Sequence, residues 1–126
     1  MTVVWIGIGA AIGANLRYLV GQAMANWLGL GFPWGTLTIN ATGSFLIGIV
    51  ATLLGERLSV GPEWRLILVV GVLGGYTTFS TFSLDAVNLF SGSRWLAGIA
   101  YLLGSVLLGV AACVLGIMLV RADLFG

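Results

Sequence analysis

Gly74-Gly75-Tyr76-Thr77-Thr78-Phe79-Ser80-Thr81-Phe82 interrupts the apolar sequence in the second half of the chain. The run before it, Leu66 to Leu73, is too short to cross a bilayer, which takes ~20 residues. After it the chain is apolar again only briefly, from Ala86 to Phe90. Paired glycines and paired threonines are poor helix formers, so a break is predicted near 74–78. In hydrocarbon, unwound backbone survives only where it is buried in protein or lines a cavity. Broken helices of this kind can coordinate ions through exposed carbonyls and half-helix ends. A glycine kink that only allows close packing is the plainer reading. The hydroxyls and aromatic rings that follow, with no acid or base before Asp85, favour an ion path.

The composition sets the solvent. Of 126 residues, 60% are hydrophobic and 7% charged, against ~25% charged in soluble domains. Lysine and histidine are absent from the sequence. So few charges cannot cover a water-exposed surface, and the reading is an integral, multi-pass, all-α membrane protein in a lipid bilayer. The length holds four helices in one transmembrane domain, residues 1–126, with no extramembrane domain. A net charge of +1 excludes a nucleic-acid footprint, which needs dense positive charge. Cys113, the single cysteine, reads as a small packing residue. The N-terminus has no basic region before Arg17 and reads as a retained first helix.

Helices are predicted at about 3–27, 34–54, 64–90 (with the break) and 94–120. Gly7 to Gly13 mimics a dinucleotide-binding loop, but that motif needs an acidic residue ~20 positions on, and none precedes Glu56. Gly9, Gly13, Arg17 and Gly21 instead form a small-residue packing stripe. Thr36, Asn40, Ser44 and Gly48 recur every four residues on helix two, as Ala97, Tyr101, Ser105 and Gly109 do on helix four. With four crossings, Arg57, Arg65 and Arg121 share one side and Arg94 lies on the other. That bias is small enough to permit insertion in both orientations. The tail from Arg121 to Gly126, with Asp123, is too short to fold independently.

Enzymatic readings fare poorly, since no cluster offers a metal site or a nucleophile–base pair. A small dual-topology proton-coupled transporter of the multidrug-resistance type is the alternative, but helix one lacks the membrane-embedded acid that coupling needs. What remains are neutral donors: Asn40, Thr77, Thr78, Ser80, Thr81, Tyr101 and Ser105. Hydroxyls and amide groups can replace an anion's hydration water without holding it as a fixed charge would. Ring edges carry the positive end of the aromatic quadrupole, so Phe79 and Phe82, three residues apart, can solvate an anion edge-on. Taken alone, two such phenylalanines are more simply read as ordinary packing, and Asn40, Tyr101 and Ser105 can equally be read as interhelical hydrogen bonds. Arg17 suits either a structural pairing or an anion-drawing role.

Taken with Thr38-Ile39-Asn40-Ala41-Thr42-Gly43-Ser44-Phe45 and Gly13-Ala14-Asn15-Leu16-Arg17-Tyr18, the Gly74–Ser83 string closely resembles the bacterial fluoride channel family (CrcB, or Fluc) across essentially the whole chain. The resemblance implies an antiparallel, dual-topology homodimer in the bacterial inner membrane. Each dimer would conduct fluoride passively out of the cell through two pores. It also implies roles for residues. Phe79 and Phe82 match the paired pore phenylalanines, and Asn40 the asparagine that approaches the ion. Ser80 and Thr81 match polar-track hydroxyls, with Tyr101 and Ser105 beside them on helix four. The backbone carbonyls of Gly74 and Thr77 would hold a structural sodium ion at the dimer interface. Thr36 would be a vestibule residue, with Arg17 near the entrance.

Overall fold

The computed structural model describes residues 1–122. Four helical stretches, each apolar enough to cross a membrane, account for nearly all of them. We label them α1 (Thr2–Leu28), α2 (Trp34–Arg57), α3 (the continuous pieces Pro62–Arg65, Leu66–Leu73 and Gly74–Tyr76), α4 (Phe79–Ser91) and α5 (Trp95–Arg121). Together α3 and α4 make one crossing, interrupted once. The reading of the tail falls largely on residues 123–126, outside the described residues.

The chain turns where its chemistry stops a helix. Gly29 takes a left-handed backbone, φ 80°, which glycine adopts without steric cost, and Pro33 sits immediately before α2. Pro62 opens α3 at a position where its missing N–H costs nothing. The third turn, through Gly92, places Ser93 at φ 61°. Two stretches, Leu53–Arg57 and Leu66–Leu73, are wound more widely than an α-helix; the Leu58 N–H reaches back five residues to the Leu53 carbonyl, at 2.7 Å.

The helices pack as two parallel pairs. In α1 and α3, Gly13 lies so close to the Val72 carbonyl that a Cβ would collide with it, and Gly75 is pressed in the same way against Ala10. Of the two glycines of the central string, Gly75 therefore serves close approach, whereas Gly74 meets no neighbouring helix. Both are helical, and the break is narrower than the predicted 74–78: Thr77 and Thr78 alone are extended, at φ/ψ −82°/159° and −150°/123°. The other pair, α2 and α5, is held in constant register. Residue n of α2 lies level with residue n + 65 of α5, the separation of the Glu56–Arg121 ion pair at their shared end. Thr36 and Tyr101, Ser44 and Gly109, and Gly48 and Cys113 face each other on this rule.

The buried core is small: Ala86, Leu89 and Tyr101, with Phe32, Leu37 and Phe82 packed around them. Many large apolar side chains lie on the outer faces, as suits a chain whose solvent is lipid. At the ends of α2 and α5, Arg57 donates to the Val120 carbonyl at 3.2 Å and the Arg121 carbonyl at 3.4 Å. The cation thus sits at the negative end of the α5 dipole.

Candidate anion path at the helix break

The two extended threonines differ: the Thr77 N–H still bonds the Leu73 carbonyl at 3.0 Å, and the break is made by Thr78, whose backbone groups find partners outside the helix. In a continuous helix, the Thr78 N–H would bond the Gly74 carbonyl and the Thr81 N–H the Thr77 carbonyl. Here the Thr78 N–H donates to Asn40 Oδ1 at 2.9 Å, and the Thr81 N–H to Thr78 Oγ1 at 3.1 Å. The second bond is an N-cap, and it starts α4. Asn40 also donates through Nδ2 to the Thr78 carbonyl, at 2.9 Å, so one carboxamide grips both polar groups of one peptide residue. The carbonyls of Gly74 and Thr77 are thereby released from their helical partners.

On the other side of the break, the Tyr76 hydroxyl pairs with Thr42 Oγ1 at 2.8 Å. Thr77 turns its hydroxyl back onto the Leu73 carbonyl at 3.0 Å. Two residues of α2, Asn40 and Thr42, therefore brace the break from either end. Thr42 and Tyr76 are not distinguished by the sequence, because neither hydroxyl reveals its partner 34 positions away.

A cleft of about 320 Å³ opens against this arrangement. Asn40, Ser44, Gly74, Thr77, Thr78, Phe79 and Phe82 line it with four aliphatic or glycine neighbours, and none of its lining residues is ionisable. The two phenyl rings lie 5.9 Å apart, tilted by 51°, and Phe82 rests on Tyr101 at 5.1 Å. Phe82 is partly buried, whereas Phe79 is 80% exposed. Asn40 has spent its carbonyl and one N–H on Thr78, leaving its second N–H as a donor.

Other expected site residues lie elsewhere. Arg17, Thr36 and Thr81 line a larger cavity of about 970 Å³, together with Asp85, Asn88 and Arg94; Thr78 borders both spaces. Ser80 is exposed, its hydroxyl 3.4 Å from that of Thr78. Tyr101 is 1% exposed and lines neither cavity. Its hydroxyl donates to Asp85 Oδ2 at 3.1 Å, and the buried Thr36 hydroxyl donates to the same oxygen at 2.7 Å. Asp85, unassigned by the sequence, is the group that joins α2, α4 and α5. The Ser105 hydroxyl is buried with no hydrogen-bond partner among the described residues. Arg94 donates to the Gly31 carbonyl, so a cation and a loop border the large cavity.

As metal donors, Gly74 and Thr77 offer uncharged oxygen: their backbone carbonyls and the Thr77 hydroxyl, whose proton goes to the Leu73 carbonyl. No group of three or more His, Cys, Asp or Glu side chains that could hold a metal ion occurs among the described residues. Such an oxygen set suits a hard cation and would be a poor site for a softer metal.

Comparison with known proteins identifies the family. Residues 4–117 match the family model described as CrcB-like protein, Camphor Resistance (CrcB). Proteins named "Fluoride-specific ion channel FluC" align along nearly their full length. That of Rhizobium meliloti (strain 1021) is 50% identical over 117 residues, 93% of this chain and 94% of the relative. That of Nitrobacter winogradskyi is 52% identical over 116 residues, 92% of each. That of Magnetococcus marinus is 44% identical over 121 residues, 96% of this chain and 98% of the relative. With a matched region that takes in the threonine break, its asparagine brace and all four apolar crossings, the chain belongs to the CrcB family.

Proposed function

We propose that this chain forms a fluoride-selective ion channel, conducting fluoride passively out of a bacterial cell across the inner membrane. The observation that carries the reading is the cleft at the break, lined by a carboxamide, hydroxyls and two phenyl rings without any ionisable group. The full-length likeness to proteins named as fluoride-specific channels supports it.

Fluoride holds its water more tightly than the larger halides do, so a route for it must return many short hydrogen bonds. The free N–H of Asn40 and the edges of Phe79 and Phe82 are donors of this kind. None is a fixed cation, so the ion is solvated without being trapped. Ser80, Thr81 and Ser105 extend the donor series, while Tyr101, whose hydroxyl proton goes to Asp85, supports the Phe82 ring. Arg17 and Thr36 serve the wide cavity as its vestibule, where a cation raises the local anion concentration.

The working unit in this proposal is an antiparallel homodimer with two pores. The exposure of Phe79 in the single chain supports this, because a second copy would cover it. The arginine distribution permits both orientations. At the twofold axis, the released carbonyls of Gly74 and Thr77 from both copies would hold a structural sodium ion, which when bound offsets the carbonyl dipoles. The function is tested by efflux from liposomes containing the purified protein alone. Fluoride should leave rapidly and chloride should not; equal leakage of both, or of neither, removes the proposal.

A further inference from the structure

Several hydroxyls in and beside the helices are satisfied by the chain itself. Thr42, Thr52, Thr77 and Ser83 each bond the carbonyl four residues back, at 2.7–3.0 Å. That is the usual resting place of a helical serine or threonine. Ser44 sits between Thr42 and Thr52 on the same helix and does not follow them. No hydrogen bond among the described residues engages its hydroxyl, and the residue lines the neutral cleft beside Asn40 and Phe82.

The register of α2 against α5 explains where that hydroxyl points. At the level of Thr36 stands Tyr101, and both close on Asp85. One turn on, the offset of 65 puts Ser105, with its orphaned hydroxyl, level with Asn40. At the next turn the partner is Gly109, where a Cβ would meet Ser44 Oγ at 3.5 Å and nothing nearer. One turn further the helices touch: a Cβ on Gly48 would collide with the Cys113 carbonyl. The polar seam between α2 and α5 therefore ends at Ser44, in a gap that glycine leaves open. An unpartnered hydroxyl at membrane depth is costly unless a ligand or water meets it.

We infer that Ser44 is a further ion-contacting residue, whose hydroxyl donates to the anion where the α2–α5 seam opens into the cleft at Phe82. The inference rests on the fluoride-channel reading and adds to it a donor on α2, opposite Gly109. It makes the position of the hydroxyl across the gap interchangeable. A serine at 109 would extend its Oγ into the same space from the other helix.

The test is fluoride efflux from liposomes by the wild type, S44A, G109S and S44A/G109S. S44A should lose about ten-fold in rate, the effect of one hydrogen bond worth ~1.4 kcal/mol at the barrier. S44A/G109S should recover most of that loss, and G109S alone should conduct like the wild type. Wild-type rates in S44A overturn the inference. So does a double variant no faster than S44A, which would make Ser44 a packing residue. Should S44A fail to assemble, S44C keeps the volume but weakens the donor, and undiminished flux in it overturns the inference equally. A wild type that passes no fluoride removes the channel reading itself, an outcome distinct from a difference among the variants.

Discussion

Asn40 shows how one side chain can carry both a structural and a conductive role. Its Oδ1 and one Nδ2 hydrogen replace the helix bonds that Thr78 gives up. Asn40→Leu removes both, leaving the Thr78 N–H and carbonyl without these partners in an apolar setting. Each net bond is worth about 1 kcal/mol and a stranded group costs about 1–3 kcal/mol. N40L should therefore melt earlier in detergent and also lose fluoride efflux; unchanged melting would mean that the brace contributes nothing. The phenylalanines act differently, because their rings bond no backbone group. Phe79→Ile and Phe82→Ile keep apolar bulk and discard the ring edge. We expect each to slow fluoride efflux at least about ten-fold, ~1.4 kcal/mol at the barrier, with assembly preserved on size exclusion. Normal flux in both would exclude edge-on solvation.

The helices position these residues through glycine contacts that a single methyl would spoil. The α2–α5 register depends on Gly48 meeting the Cys113 carbonyl, and on Gly116 meeting the Phe45 carbonyl. Because the obstacles are backbone atoms, they cannot rotate aside, so Gly48→Val must spread the helices. Overpacking of this kind costs ~1–3 kcal/mol. G48V should lower detergent stability and, by moving Thr36 from Tyr101, loosen the shared grip on Asp85. A thermal melt indistinguishable from wild type would show that the contact is slack. The α3–α4 crossing follows the same logic in reverse. Gly71 and Gly75 stay helical so that α1 can approach, and the unwinding falls to Thr77 and Thr78, of which Thr78 bonds to α2 and to the start of α4.

For the molecule as a whole, the weak charge bias is the decisive feature. Arg121 is paired with Glu56 at 2.7 Å, and Arg57 is engaged with the carbonyls at the end of α5. Arg94, at the opposite end, is held by the Gly31 carbonyl. Counting arginines alone, three against one separate the two ends, a difference that permits both insertions. A single engineered cysteine on the loop between α2 and α3 should accordingly react with impermeant reagent from both sides of the membrane. Labelling from one side only would remove the antiparallel dimer and, with it, the two-pore arrangement.

Solvent, helix number and the place of interruption were legible in the amino-acid sequence, because hydropathy and propensity are local properties. A run of apolar residues crosses a membrane whatever surrounds it, and two threonines after two glycines weaken a helix on their own account. The neutral donors were legible as an inventory for the same reason. Which donors share a cavity was decided only by the tertiary structure. Asn40 meets Thr78 across 38 positions, and Thr36 and Tyr101 reach Asp85 from different helices. Gly75 turned out to serve approach and the threonines to unwind, since the first depended on how near α1 comes and the second on what Asn40 of α2 offers Thr78 in exchange for a helical bond.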